Sequence, residues 1–304
     1  MSVAIRVAVA TSSIGLELDP DLSPLVAALR ARGIEAEAVA WDRVDYDWAA
    51  CAAVVIRSTW GYPERLDEYL AWVDAVAAVT RLDNPAGLVR WNTDKRYLGE
   101  LAERGVPVVP TRFVAPGEAP VLPERGHFVV KPAVSAGARD SARYAAHQHD
   151  AALRHIAALH AAGATVLVQP YLSRIDEGER ALVFLGGTFS HAIRKGPVLT
   201  EVGVVDNERS PHPNLAPHHP SRAELALADA ALAAAPKARE LLYARVDVAL
   251  DDAGSPVLME LELVEPHLFL AGNTCAVLRF ADLIRERVTA GRPDRGQEPP
   301  SSAS

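Results

Sequence analysis

The stretch Arg245-Val-Asp247-Val-Ala-Leu-Asp-Asp-Ala-Gly254-Ser-Pro-Val-Leu-Met-Glu260-Leu-Glu262-Leu places three carboxylates within reach of one another. Its alternation around a Gly-containing turn predicts two strands joined as a hairpin. Successive strand side chains point to opposite faces, so Glu260 and Glu262 share one face, and Met259, Leu261 and Leu263 take the other. A turn symmetric about Ala253 and Gly254 sets Asp247 opposite Glu260. A one-residue slip would undo that pairing. Three acids crowded on one face repel unless a cation sits among them, and oxygen ligands suit a hard divalent ion such as Mg2+. A single Glu-x-Glu also fits a charged, solvated hairpin face, so the metal reading depends on the rest of the chain.

Two lysines upstream strengthen it. Asn92-Thr-Asp94-Lys95-Arg96 opens a segment that reads as a capped helix ended by Gly105, with Lys95 in the first turn, where the helix dipole disfavours a cation. His127-Phe-Val-Val-Lys131-Pro132 reads as a short apolar strand ending in a lysine. It runs into the small-residue loop Ala133-Val-Ser135-Ala-Gly137-Ala-Arg139-Asp-Ser141, whose backbone N–H groups can approach phosphate oxygens. Thr165-Val-Leu-Val-Gln169-Pro170-Tyr171-Leu172 predicts a buried strand broken at Pro170, beyond which backbone groups could meet an adenine edge.

In this order and spacing, the segments from about Asn92 to about Asn273 resemble the ATP-grasp superfamily, in its glutathione-synthetase-like and ribosomal-modification-ligase-like branch. The resemblance implies an α/β protein with a doubly wound N-terminal domain and two α+β lobes sandwiching ATP. It also implies that Lys95 and Lys131 contact ATP phosphates and that the loop carrying Ser135, Gly137 and Arg139 closes over them. Gln169, Tyr171 and Leu172 would form the adenine hinge, with Glu179 near the ribose. Arg194 or Lys195 would reach the transferred phosphate as the catalytic cation, and Asp247, Glu260 and Glu262 would hold Mg2+. The chain departs from the family pattern in an Ala-rich phosphate loop and in Glu262, where many relatives have Asn.

Composition agrees with a cytoplasmic enzyme acting on a small molecule. A chain of 304 residues, 49% apolar, can bury a full core divided among subdomains. The formal net charge of −8 argues against a nucleic-acid partner held by a general basic field. No stretch reaches the apolar length of a membrane span, and the N-terminus carries no signal-peptide pattern. Cys51 and Cys275 are too few for a disulfide framework. A homo-oligomer is compatible with all of this.

Residues 1–106 are expected to form the N-terminal domain, with strands at Ile5–Ala10, Ile34–Val39 and Ala53–Ile56 and helices at Ser23–Arg32 and Glu64–Val79. Such alternation favours a parallel sheet. The central lobe spans 107–172 and the C-terminal lobe 173–290, with a helix over Ser221–Ala234 limited by Pro236. Residues 291–304, rich in proline and serine, are expected to be a disordered tail.

Two loops invite substrate and lid roles. Arg57-Ser58-Thr59-Trp60-Gly61-Tyr62 follows a buried strand, where doubly wound sheets bind ligands. His267, in Glu265-Pro266-His267, is a further candidate for substrate. The Pro- and His-bearing segment between Lys195 and Pro220 reads as a lid rather than a zinc site, because it has neither cysteine nor helical His spacing.

Within the superfamily, Leu16-Glu-Leu-Asp19-Pro20-Asp21, Trp41-Asp42, Val55-Ile-Arg57-Ser-Thr-Trp60 and Glu260-Leu-Glu262-Leu-Val-Glu265-Pro266 resemble the D-cycloserine synthetase group. That resemblance implies a ligase that phosphorylates a small amino-acid-like carboxylate, O-ureido-D-serine, for attack by its own ureido nitrogen. An intermolecular carboxylate–amine ligase and a non-catalytic nucleotide-binding protein are the alternatives. The intact Lys95, Lys131, Asp247, Glu260 and Glu262 count against the second.

Overall fold

The computed structural model describes residues 4–208, 210 and 213–290. The expected tail at 291–304 lies outside the described residues. Strands β1 (Ile5–Thr11), β2 (Ile34–Ala40), β3 (Ala53–Ile56) and β4 (Arg81–Asp83) form an all-parallel sheet in the order β2-β1-β3-β4. Every residue of β3 is buried, as a parallel strand covered on both faces requires. Helix α1 (Ser13–Leu18) follows β1 and was not anticipated from the sequence. Gly15 permits it, since a Cβ there would lie 2.2 Å from Thr11 Oγ1 and 2.5 Å from Ser58 O. Helix α2 (Leu22–Arg30) packs against Val7 and Val9 on one face of the sheet, and α3 (Leu66–Val79) packs against Ala8 and Ala10 on the other.

The helix expected from Asn92 to Gly105 begins only at Tyr97, and a separate helix ends at Asn92. Helix α4 (Ala86–Asn92) ends where α5 (Tyr97–Glu103) has yet to begin, and Lys95 lies in the turn between them. Tertiary contacts explain the break. The Asn92 side chain donates to Leu261 O and accepts from Leu263 N–H, each at 2.7 Å, while Lys95 N–H donates to Ala133 O at 2.9 Å. Lys95 is therefore not opposed by a helix dipole.

The second sheet is antiparallel, ordered β5 (Arg112–Val114), β8 (Val166–Pro170), β6 (His127–Pro132), β7 (Ala142–Ala145), with α6 (His149–Ala161) across one face. In β6 the two-residue period buries Phe128 and Val130 beneath α6 and leaves Val129 and Lys131 to line a cleft. The third sheet, also antiparallel, has the order β11 (Ala216–His218), β10 (Thr188–Lys195), β9 (Glu179–Leu185), β12 (Tyr243–Leu250), β13 (Pro256–Glu262). Helix α7 (Arg222–Ala234) covers one face, and α8 (Thr274–Thr289) packs with Tyr243 and Leu185 on the other while also bonding Arg32, in the turn after α2, through Asp282 at 2.8 Å. Along that second face the residues change from Tyr243 to Arg245 and Asp247. The apolar end anchors the sheet and the charged end faces the cleft.

The β12–β13 hairpin does pair Asp247 with Glu260, but not by an uninterrupted register. Val248 faces Leu258, and a bulge between Asp247 and Val248 shifts the pairing by one residue. The bulge changes the expected facing. Leu258, rather than Met259, joins Leu261 and Leu263 in the buried cluster, and Met259 lines the cleft beside Glu260 and Glu262.

Candidate active site

A cleft of about 560 Å³ opens between the second and third sheets and reaches the N-terminal sheet through Trp60, Tyr62 and Ile14. Six carboxylates (Glu64, Glu179, Asp247, Glu260, Glu262 and Glu265) and five cations (Lys95, Lys131, Arg139, Lys195 and Arg245) line it. Their pairing is specific. Lys195 Nζ lies 2.8 Å from Asp247 Oδ2 and 2.5 Å from Glu179 Oε1. Arg245 grips Asp247 with Nε and Nη2, each at 2.9 Å, and also bonds Glu262. Lys95 Nζ reaches Glu260 at 3.1 Å and the backbone oxygen of Ser135 at 2.6 Å, joining the hairpin to the small-residue loop. Among the described residues, Lys131 and Glu265 have no ion-pair partner.

The fields follow this arrangement. Burial acts to raise the Asp247 carboxyl, yet Arg245 and Lys195 overcome it and hold it well below the usual carboxylate range. Glu260 is lowered in the same way, burial being outweighed by Lys95 and Lys131. Burial pushes Glu179 up to about 7 against the pull of Lys195. It pushes Glu262 up to about 7 against Arg245, with Asp247 and Glu260 adding to the rise. Burial and the charge of Glu262 take Glu265 up to about 8. Lys131 is lowered by burial, with Glu260 opposing. A cluster of oxygen acids, of which Glu179, Glu262 and Glu265 resist ionisation while no added cation offsets them, suits a divalent cation held by oxygen alone.

A pH dependence follows. Glu179, Glu262 and Glu265 hold protons more tightly folded than unfolded, so their stabilising contribution is full below about pH 4.5 and is lost as pH rises through about 7 to 8. Asp247 and Glu260 run the opposite way, contributing above their ordinary values and losing that contribution only in stronger acid. The metal-free protein is therefore expected to melt at a lower temperature at pH 9 than at pH 6, and Mg2+ with ADP to flatten the slope. A melting temperature in EDTA that rises across this range would refute the assignment of these fields.

The sequence-predicted residues divide clearly. Ser135, Gly137, Arg139, Gln169, Tyr171 and Leu172 line the cleft with Lys95 and Lys131. Gln169 is not free to meet a base through its side chain, which donates to Thr111 Oγ1 at 2.8 Å, and Tyr171 N–H is bonded to His127 O at 2.9 Å. Glu179, expected near a ribose, lines the cleft and pairs there with Lys195, which also bonds Asp247. Lys195 lines the cleft, whereas its neighbour Arg194 is exposed and reaches only Glu177 O at 3.4 Å, as alternation along β10 requires.

Trp60, Tyr62 and His267 line the cleft, but Arg57, Ser58 and Thr59 do not. Arg57 is buried, with Nη2 donating to Pro266 O at 3.0 Å and its guanidinium over the Tyr243 ring. Ser58 pairs with Thr11 at 2.8 Å, and Thr59 with the Tyr69 hydroxyl at 3.1 Å. Arg57 therefore supports the loop that carries His267 and does not reach the cleft. Sequence reading gave no role to Arg245, although its two-residue offset from Asp247 placed both on one face. It also left Glu265 without one.

The segment after Lys195 docks against the small-residue loop. Gly203 N–H donates to Arg143 O at 2.6 Å, and Asn207 exchanges two bonds with Asp140, at 2.8 and 2.9 Å. The part at 216–218 is strand β11, not loop. The 196–208 segment is mostly exposed and offers little apolar burial of its own. Limited proteolysis between Lys195 and Pro220 is expected to slow severalfold with an ATP analogue and Mg2+. Equal cleavage in both states would sink the lid reading.

A profile described as the N-terminal domain of D-cycloserine synthetase DcsG matches residues 7–84. The cycloserine biosynthesis protein DcsG of Streptomyces lavendulae is 40% identical over 298 residues, covering 92% of this chain and 98% of that protein. The crystal structure of D-cycloserine synthetase DcsG is similar with a TM-score of 0.84 and 38% identity, covering 93% of this chain and 99% of that one. The D-alanine–D-alanine ligase of Bacillus anthracis shares the fold at a TM-score of 0.68 and 14% identity, covering 95% and 98%. A RimK-domain ATP-grasp protein of Sphaerobacter thermophilus does so at 0.63 and 19%, covering 92% and 99%.

Proposed function

The chain belongs to the D-cycloserine synthetase family of ATP-grasp ligases, and on that premise we propose that it closes O-ureido-D-serine to D-cycloserine through an acyl phosphate. The observation that carries the reading is the convergence of Lys95, Lys131 and Lys195 with the Glu260–Glu262 hairpin on one cleft whose far wall is Trp60, Tyr62 and His267. ATP would lie between the lobes at 107–172 and 173–290. Mg2+ would be held by Glu260 and Glu262, with Asp247 beside them, and would screen the phosphate charge. The oxygen-only donors fit such an ion, although Arg245 and Lys195 already bind Asp247. This chemistry uses cytoplasmic ATP, and among the described residues no helix is long and apolar enough to cross a membrane.

A carboxylate is a poor electrophile at neutral pH, and phosphorylation supplies a leaving group. Lys131, with no carboxylate partner of its own, is placed to take charge from a phosphate. Lys95 ties the closing loop to the hairpin, and Lys195 would meet the transferred phosphoryl group. The Trp60 and Tyr62 wall limits water around the activated carbonyl. The ureido nitrogen bonded to oxygen then attacks that carbonyl and phosphate leaves, giving an N-carbamoyl ring; water then cleaves the bond between the ring nitrogen and the carbamoyl carbon, the ring nitrogen takes up a proton, and the carbamoyl part leaves as carbon dioxide and ammonia. A tethered nucleophile needs no second amine site.

The test is mass spectrometry of O-ureido-D-serine with ATP and Mg2+. A cyclic product with ADP and phosphate is expected without any added amine. AMP and pyrophosphate would indicate an adenylate and exclude the acyl phosphate. Ligation of a separately added amine, with no cyclic product, would establish the intermolecular alternative, and no ADP release with any acid would leave the non-catalytic one.

A further inference from the structure

Glu265 lines the cleft, and the phosphate chemistry gives it nothing to do. Every other carboxylate there is committed to a cation. Glu64 pairs with Arg139 at 3.2 Å, Glu179 and Asp247 share Lys195, Glu260 pairs with Lys95, and Glu262 with Arg245. The backbone that carries Glu265 is nevertheless fixed from both sides. The Tyr243 hydroxyl donates to Val264 O at 2.7 Å, Arg57 Nη2 to Pro266 O at 3.0 Å, and Arg245 Nη1 to His267 O at 3.1 Å. All three donors are buried. A solvated surface acid needs no such support, whereas a reacting group needs its position held.

Its place is the substrate end of the cleft. Burial raises the Tyr62 phenol, and among the charges that add to the rise Glu265 comes ahead of Glu260 and Glu262. Glu265 therefore lies nearer the Trp60 and Tyr62 wall than the proposed metal ligands do. The other basic group on this wall is His267. Burial lowers its imidazole, and its Nδ1 accepts from Phe269 N–H at 3.1 Å. A neutral ring that accepts at Nδ1 carries its proton on Nε2 and has no second lone pair to offer.

Ring closure needs a base at this end. The ureido nitrogen bonded to oxygen carries a hydrogen, and it is a weak nucleophile while it keeps it. A base works best with a pKa near the operating pH, and burial, followed by the charge of Glu262, takes Glu265 up to about 8. We propose that Glu265 is the general base of ring closure, its carboxylate taking the proton of the attacking ureido nitrogen, with Arg57, Tyr243 and Arg245 as the positioning residues. The inference rests on the cyclisation reading above and deepens it. The electrons of the N–H bond form the nitrogen–carbon bond as the proton passes to Glu265. The bond from the acyl carbon to the phosphate oxygen breaks, and its electron pair leaves with the phosphate. Glu265 returns the proton to water, and the departing phosphate takes one up.

Hydroxylamine separates this step from phosphorylation, because it intercepts an acyl phosphate as a hydroxamate. The full-length protein is given O-ureido-D-serine, ATP, Mg2+ and hydroxylamine, and cyclic product and hydroxamate are both quantified by mass spectrometry. The ratio of cyclic product to hydroxamate is expected to fall about a hundredfold or more in Glu265→Gln, the size of effect that a lost general base produces. Glu265→Ala is expected to lower it equally. A general loss of folding or of substrate binding would reduce both products and leave the ratio where it was. An unchanged ratio in either variant, beside a wild type that cyclises, would overturn the base and leave the cyclisation reading standing. A wild type that gives hydroxamate and no ring would overturn both.

Discussion

Lys195→Ala will abolish turnover to within about a thousandth of the wild-type rate, an effect of the size seen when a preorganised charge donor is removed from a transition state. Lys195 is buried, with its ammonium between Asp247 and Glu179, so its loss has a second consequence. Breaking a buried pair by deleting one partner costs about 3 kcal/mol or more, because the remaining charge stays buried. Arg245 still holds Asp247, so the acid left exposed to this penalty is Glu179, which can relieve it by taking up a proton. The melting deficit of Lys195→Ala should therefore shrink at pH 5.5 relative to pH 8, while the rate deficit should not. Arg194→Ala is the paired control. Its exposed guanidinium makes one long backbone contact, and turnover is expected within about twofold of wild type. A large rate loss in Arg194→Ala with a small one in Lys195→Ala would reverse the assignment of the catalytic cation.

That contrast marks where sequence reading stops. Lys131 was legible because an apolar alternating run ended in a lysine before a loop of small residues, all local features. Asp247 opposite Glu260 was also legible, although the bulge that produces the pairing leaves no local signature and misassigned Met259. Arg194 against Lys195 was not decided, since adjacent residues look alike until the register of β10 fixes which one points inward. Lys95 was read in a helix because propensity cannot register the contacts of Asn92 and Ala133 that break it. Arg57 follows a buried strand as a substrate-binding residue would. Only the tertiary return of the 264–271 loop, whose Pro266 oxygen it bonds, puts it behind the cleft wall. Arg57, Tyr243 and Arg245 bond the carbonyls around Glu265, an arrangement that no spacing rule encodes.

Glu262→Gln separates metal binding from stability. The wild-type carboxyl is pushed up by burial and by Asp247 and Glu260, which means that its ionised form is uncomfortable in the metal-free protein. Removing that charge should leave the fold intact, with a melting temperature in EDTA at pH 8 equal to or above wild type, since Arg245 keeps its two bonds to Asp247. Turnover should nevertheless fall about a hundredfold or more, because the proposed Mg2+ would lose an anionic ligand where it is to stabilise the transferring phosphoryl group. Glu260→Gln should cost as much in rate but behave differently in stability. Glu260 is held low by Lys95 and Lys131 despite its burial, so its removal deprives Lys95 of its carboxylate and should lower the melting temperature. Raising the Mg2+ concentration should recover part of the rate in both variants if the lost group binds the ion, and none if it acts only through Arg245 or Lys95. Wild-type rates in both would remove the hairpin from the mechanism. Equal destabilisation of both would show that these carboxylates hold the fold together and do not serve the ion.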